Sequence, residues 1–295
     1  LQSASRIAAG SIVIGVAVLA LKTAAWALTG SAALYSDALE TVVNVAASVI
    51  ALYALRVASQ PADRDHPFGH AKAEFVAAAA EGALIVAAAA SILQNAWHAW
   101  QQPHLLHAPL LGVAINTVAT CINFAWAQLL LRVAQRERSP ALAGDARHLL
   151  ADVATSFGIA IGVFLVIVTG KLWLDPAVAA LTACYVLWSG VRLLKSSVGG
   201  LMDEALDDRT LAEIQAVIGA AGKGALEAHD LRTRQAGNTT FLEFHLVVPG
   251  DMQVAAAHEI CDRIEAAFHE RMAHMIVNIH VEPEHKAKHT GVVRI

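Results

Sequence analysis

Ser36 to Ser48, SDALETVVNVAAS, and Gly144 to Ser156, GDARHLLADVATS, read as two copies of one pattern. Both place Asp-Ala near the start and Val-Ala-x-Ser at the end. Between these ends the first copy carries Glu40 and Asn44, and the second carries His148 and Asp152. Each pair is spaced i, i+4, so on a helix both side chains leave one face about a turn apart. Asp37 and Asp145 come three residues earlier and fall near the same stripe. Both copies lie inside long apolar runs, where ionisable groups are expensive enough to mark function. Four oxygen or nitrogen ligands on two helices are what a divalent metal requires. The reading that follows is a metal site within a membrane, built by two related helices.

Composition agrees with a membrane protein that carries a soluble part. Of the 295 residues 56% are hydrophobic and only 16% charged, and the mean hydropathy is +0.51. Residues 1 to about 200 are dominated by Ala, Val, Leu and Ile, while more than half of the charge and eight of the 14 histidines lie beyond them. A net charge of −4 and the lack of a basic stripe exclude nucleic acid as a partner. Cys121, Cys184 and Cys261 are isolated, so neither a disulfide framework nor a CxxC zinc pattern follows. The chain opens on Leu1; we expect a short native N-terminus ahead of it and no cleavable signal.

Hydropathy predicts six spans, at roughly 6–28, 32–55, 74–98, 107–133, 146–169 and 174–195, each long enough for a bilayer core of about 30 Å. Thr29-Gly30-Ser31 separates the first two, Pro109 falls in the first turn of the fourth, and Asp175-Pro176 predicts an N-cap and a Pro at N1 for the sixth. Arg56, Arg64 and Lys72 follow the second span, and Arg132, Arg136, Arg138 and Arg147 follow the fourth. The opposite loops hold only Lys171. The positive-inside rule then puts both termini and everything after residue 196 in the cytoplasm. Trp97, Trp100 and Trp173 sit at outer span ends as an interfacial belt. Lys22 is expected to snorkel or pair. Glu74 with Glu81, and Asn116 with Asn123, are expected to hydrogen-bond between helices.

Two further clusters carry metal-ligand chemistry. In the second loop, Asp63-Arg-Asp-His66-Pro-Phe-Gly-His70 presents one carboxylate and two imidazoles on a segment that Pro67 and Gly69 bend, a set that suits zinc. A solvated polar loop is the other reading. From about residue 207 the pattern becomes that of a small α+β domain. Helices are predicted over 207–221 and 252–273, and strands over 225–235, 240–249 and 275–283, with a hairpin turn at Gly237-Asn238. The α-β-β-α-β order suggests a ferredoxin-like sandwich. His229, His245 and His280 fall one per strand, and Glu282 shares a face with His280.

These motifs resemble the cation diffusion facilitators, six-span exporters of divalent metals in exchange for protons. The resemblance runs from about residue 10 to about 285. It is carried by SDALE…N, by QPADRDHPFGHAKAE at 60–74, by DARHLLAD, and by HDLRTRQAGNTTFLEFHL and IHVEPEH near the C-terminus. It implies a transmembrane domain over residues 1–200, and a cytoplasmic, metallochaperone-like metal-binding and dimerisation domain over 201–295. The implied transport site is Glu40, Asn44, His148 and Asp152; the loop site is Asp63, His66 and His70. The cytoplasmic cluster would draw on His229, His245, His258, His280 and Glu282. Lys72 and Asp203 fall where the family places a salt bridge at the dimer seam. A homodimer in the inner membrane, contacting lipid, metal ions and protons and carrying no prosthetic group, is expected. Imidazole, which ordinarily titrates near physiological pH, makes His148 the natural coupling residue.

One position departs from the family. The common zinc-exporting pattern in the second span is Asp or His followed four residues later by Asp, and here Glu40 is followed by Asn44. An amide in place of a carboxylate leaves two formal negative charges among the four residues. Zn²⁺ heads the expected substrates, with Fe²⁺, Mn²⁺ and Co²⁺ as alternatives. Other classes fit less well. His269-Glu270-Arg-Met-Ala-His274 places its second His at i+5, off the ligand face, and His258-Glu259-x-x-Asp262 lacks one, so a membrane metallohydrolase is disfavoured. A passive cation channel shares the polar bundle interior, but closely spaced strong ligands bind too tightly for fast conduction.

Overall fold

Six long helices fill residues 2 to 201 of the computed structural model: α1 Gln2–Thr29, α2 Ala32–Ala58, α3 Ala73–Gln101, α4 Pro109–Glu137, α5 Pro140–Thr169 and α6 Leu174–Leu201. The structure describes residues 2–103, 105–137, 140–237, 239–272, 274–288 and 291–295, without the side chains of 2–9, 134–137, 140–145 and 147. The expectations on Asp145, Arg136, Arg138, Arg147 and Asn238 therefore lie outside the described side chains. Among the described residues, six helices are long and apolar enough to cross a membrane. They overshoot the predicted spans because polar flanking turns carry the helical hydrogen bonding beyond the apolar stretch.

The chain divides into two compact units, residues 1–53 with 77–195, and residues 54–76 with 196–295. The first is turned inside out relative to a soluble bundle. Val13, Leu110, Phe157, Leu181 and Trp188 face outward, while Lys22, Asp37, Asn116, Asp152 and Ser156 are buried. Lipid accepts the first set and cannot solvate the second. Small residues line the inter-helix seams, with Ala25, Ala33, Ala89, Ala179 and Ala183 fully buried; they let the backbones approach.

Two sequence expectations need correction here. Asp175 lies inside the first turn of α6 and is not its N-cap. Its carboxylate serves the start of α2 instead, accepting from the Ser31 hydroxyl and from the N–H groups of Ala32 at 2.6 Å and Ala33 at 3.4 Å. A carboxylate at that helix N-terminus satisfies orphan donors and complements the dipole. Asn116 is fully buried, yet neither atom of its amide has a hydrogen-bond partner among the described residues, contrary to the expected interhelical bond.

In the second unit, helices α7 Asp208–Ala221 and α8 Val254–Arg271 accompany strands β1 Glu227–Ala236, β2 Thr239–Val248, β3 Met275–Pro283 and β4 Val293–Arg294. The sheet order is β3-β2-β1-β4, with β1 and β2 antiparallel and β2 and β3 parallel across the α8 crossover. Alternation along the strands separates two faces. Leu242, Phe244, Leu246 and Val248 of β2 join Ile214, Ile218, Ile260, Ile264 and Phe268 of the helices in one core. Residues of opposite parity point to the other, helix-free face. Asp207 caps α7, accepting from the N–H groups of Arg209 and Thr210, both at 3.1 Å. Together with the Thr210 hydroxyl, these donors hold its carboxyl below the usual range.

Candidate metal centres

Within the bundle, Glu40 and Asn44 of α2 meet His148 and Asp152 of α5 around a cavity of about 70 Å³, lined also by Ile85, Ala88, Tyr185 and Val186. Both pairs hold the i, i+4 spacing that puts them on facing stripes. The Asn44 amide Nδ2 donates to Asp152 Oδ2 at 2.7 Å, and the same oxygen lies 4.0 Å from His148 Nε2. Glu40 Oε2 is buried with no hydrogen-bond partner among the described residues. A buried, unpaired carboxylate oxygen in an apolar bundle is costly and is a natural first contact for a cation.

Just beyond these residues is a group the spacing argument did not resolve. Lys22 of α1, 2% exposed, pairs with Asp37 of α2 at 2.7 Å, and Ser156 of α5 bonds to both. Lys22 thus pairs inside the bundle and does not snorkel. Asp37, on the stripe of Glu40, is engaged through Oδ1, and its Oδ2 is buried without a hydrogen-bond partner among the described residues.

The loop cluster also assembles, within the second unit. Asp63 Oδ1 is 3.5 Å from His66 Nδ1, Asp63 Oδ2 is 3.4 Å from His70 Nε2, and the two imidazole rings lie 4.4 Å apart. The bend is encoded locally. Asp63 Oδ1 accepts from the N–H groups of Asp65 at 3.0 Å and His66 at 2.6 Å, and Gly69 takes φ +82°, a region a side chain would resist. These backbone donors, that of His66 foremost, hold the Asp63 carboxyl below the usual range, so it stays anionic and ready for a cation. Lys72 pairs with Asp203 at 2.9 Å within the same unit, and Arg234 stacks over Phe68 and Phe241 at 4.9 and 4.1 Å.

On the helix-free sheet face the strand register aligns three imidazoles in one row: His229 opposes His245, which opposes His280. Two residues along, Glu227 and Glu282 flank Val247 in the next row. Glu282 bridges the histidines, with Oε2 3.3 Å from His229 Nε2 and Oε1 3.4 Å from His245 Nδ1 and 3.8 Å from His280 Nε2. His258 does not join them. It sits on α8, in the layer behind the sheet, 74% exposed and 3.7 Å from Asp262.

Two carboxylates were missed. Glu227 lies 3.2 Å from His229 Nδ1, and its i−2 position on a strand was a readable signal. Asp230 should have pointed away from the histidines by alternation. A bulge between His229 and Arg232 gives it φ +54° and brings its carboxylate 4.0 Å from His245 Nδ1. The Lys288 ammonium, 2.6 Å from Asp230, holds that carboxyl below the usual range.

Residues 9–202 match the cation efflux transmembrane domain, and residues 206–284 match the cation efflux protein cytoplasmic domain. An uncharacterized transporter of Synechocystis sp. is 41% identical over 273 residues, covering 92% of this chain and 88% of its own. The cation-efflux pump FieF of Shewanella oneidensis is 32% identical over 280 residues, covering 92% and 93%. A solved structure of CzrB in its zinc form covers 29% of this chain and 98% of its own, at 46% identity and a TM-score of 0.28. With six helices among the described residues long and apolar enough to cross a membrane, a C-terminal cytoplasmic α+β domain, both family matches and the 32% identical FieF pump, the chain belongs to the cation diffusion facilitator family: it is a multi-pass cation-efflux transporter and not an enzyme.

Proposed function

We propose that the protein exports Zn²⁺ from the cytoplasm in exchange for protons, with Glu40, Asn44, His148 and Asp152 as its transport site. One observation carries the reading. Two carboxylates, an imidazole and an amide from two helices converge on one cavity in the bundle, where Glu40 Oε2 has no hydrogen-bond partner among the described residues. Four nitrogen and oxygen ligands suit Zn²⁺, and ligation requires their deprotonated forms, so metal entry expels protons. The cycle is alternating access. Metal enters from the cytoplasm, α2 and α5 rock together to face outward, and protons returning to His148 and the carboxylates release it.

The other assignments follow in the same reading. Residues 1–200 are the membrane domain and 201–295 the cytoplasmic domain of a homodimer in the inner membrane, with both termini cytoplasmic. Asp63, His66 and His70 hold a metal at the loop. His229, His245, His280 and Glu282 hold metal on the cytoplasmic sheet and favour the transport-competent dimer, with Lys72 and Asp203 bracing the seam.

Proteoliposomes with an imposed pH gradient test this. Zinc flux should saturate, collapse with the gradient, and resist competition by Fe²⁺, Mn²⁺ and Co²⁺. Flux linear in concentration and indifferent to the gradient would indicate a channel, and stronger competition by another metal would overturn the zinc assignment.

A further inference from the structure

Among the described residues Lys22 is the largest polar side chain that is fully buried, and it sits inside a membrane helix. An ammonium there costs several kcal/mol unless it is paired and hydrogen-bonded. Its Nζ donates to Asp37 Oδ1 at 2.7 Å and to Ser156 Oγ at 2.8 Å, and the Ser156 hydroxyl donates onward to Asp37 Oδ1 at 2.7 Å. The ring is closed, and each member comes from a different helix: α1, α2 and α5.

Its location matters more than its strength. Asp37 precedes Glu40 by three residues, and Ser156 follows Asp152 by four. Because successive spans cross the membrane in alternating directions, α2 and α5 are antiparallel, and both offsets run toward the same membrane face. The ring therefore lies about one helical turn from the transport residues on both ligand-bearing helices. Lys22 and Asp37 also cancel in charge. Glu40 and Asp152 are then left with a formal −2, equal and opposite to a dication; Asp37 is held in the ring through Oδ1, while its Oδ2 is buried without a hydrogen-bond partner among the described residues.

Resting on the transport-site reading above, we propose that Lys22, Asp37 and Ser156 form a clasp that positions that site and determines its specificity. The clasp fixes the separation of α2 and α5 one turn from the ligands. It thereby sets the size of ion on which Glu40, Asn44, His148 and Asp152 close. It also ties α1 to both helices, so the three move as one body in the transport cycle.

Removing Lys22 would strand a buried Asp37 and threaten folding, so Ser156 is the better probe. Ser156→Ala keeps the ion pair between α1 and α2 and cuts the link to α5; Ser156→Thr retains the hydroxyl. Zinc and cadmium flux are measured on the full-length proteins in proteoliposomes, with melting temperatures alongside. Ser156→Ala should raise KM for zinc about tenfold with kcat changed by less than about twofold, the signature of altered ground-state binding. It should also reduce the preference for zinc over the larger cadmium ion, and Ser156→Thr should restore both. A lowered melting temperature with KM and the zinc-to-cadmium ratio unchanged overturns the proposal, leaving a ring that only stabilises. Ser156→Thr behaving like Ser156→Ala also overturns it. Asp152→Ala, run in parallel, separates the two readings: if it transports like wild type, the transport-site assignment itself has failed.

Discussion

Asn44→Asp probes the departure from the family pattern, and the structure gives it a magnitude. Asn44 Nδ2 donates to Asp152 Oδ2 at 2.7 Å across the α2–α5 seam. The substitution keeps the shape and replaces the donor with a second anionic oxygen. A hydrogen bond to a charged group, worth about 1.5–3 kcal/mol, is lost. Two carboxylates about 4 Å apart repel by about 4 kcal/mol at an effective dielectric constant of about 20. The sum is comparable to the whole stability of a typical fold, so the metal-free variant keeps one proton between the two carboxylates. Zinc must expel it. The variant should therefore release about one more proton per zinc bound than wild type, and its affinity should rise more steeply with pH. Once deprotonated, the site carries three formal negative charges and should reorder Zn²⁺, Mn²⁺, Fe²⁺ and Co²⁺. Calorimetric titration of the full-length protein in buffers of differing ionisation enthalpy counts the protons, and the other metal sites cancel in the comparison. An unchanged proton count with an unchanged metal ranking would refute the reasoning and remove Asn44 from the site.

Three other predictions concern the cytoplasmic domain. His245→Ala combined with His280→Ala should abolish most of the zinc-dependent rise in its melting temperature, because the aligned imidazole row is lost; an undiminished rise in the full-length protein would count against that cluster. Ile264→Ala, in a fully buried core position, should destabilise the domain by about 2–5 kcal/mol, read by hydrogen exchange in β2 and α8, while KM for zinc transport stays as in wild type. The Asp230 carboxyl is depressed by Lys288, so its stabilising contribution is present above the ordinary aspartate range and is lost only as pH falls below it. Lowering pH from about 7 to about 5 should thus leave the Asp230–Lys288 pair intact, and exchange protection of the Lys288 amide, bonded to Glu227, reports it.

What the sequence disclosed follows from the range of the interactions involved. The i, i+4 pairs Glu40–Asn44 and His148–Asp152 were legible because helical periodicity is local, and the structure brings them to one cavity. The imidazole row was half legible: one histidine per strand could be read, but the register that aligns His229, His245 and His280 depends on pairing across α8. Asp230 was hidden because a bulge breaks the period-2 rule at that residue. His258 was grouped with them on the resemblance alone, and its helix puts it in the other layer. Lys22 and Asp175 escaped for a common reason. Each is defined by partners on other helices, Asp37 with Ser156 and the α2 N-terminus, which no spacing within one segment reveals.

The account stands on two helices jointly holding the transported metal, and Asp152→Ala reaches that claim most directly. The variant removes the carboxylate that accepts from Asn44 and faces His148, and the smaller side chain leaves the helix intact. Zinc flux under an imposed pH gradient should fall to the level of protein-free liposomes, while dimerisation and the helical circular-dichroism signal match wild type. Wild-type flux from a folded Asp152→Ala protein would contradict the account.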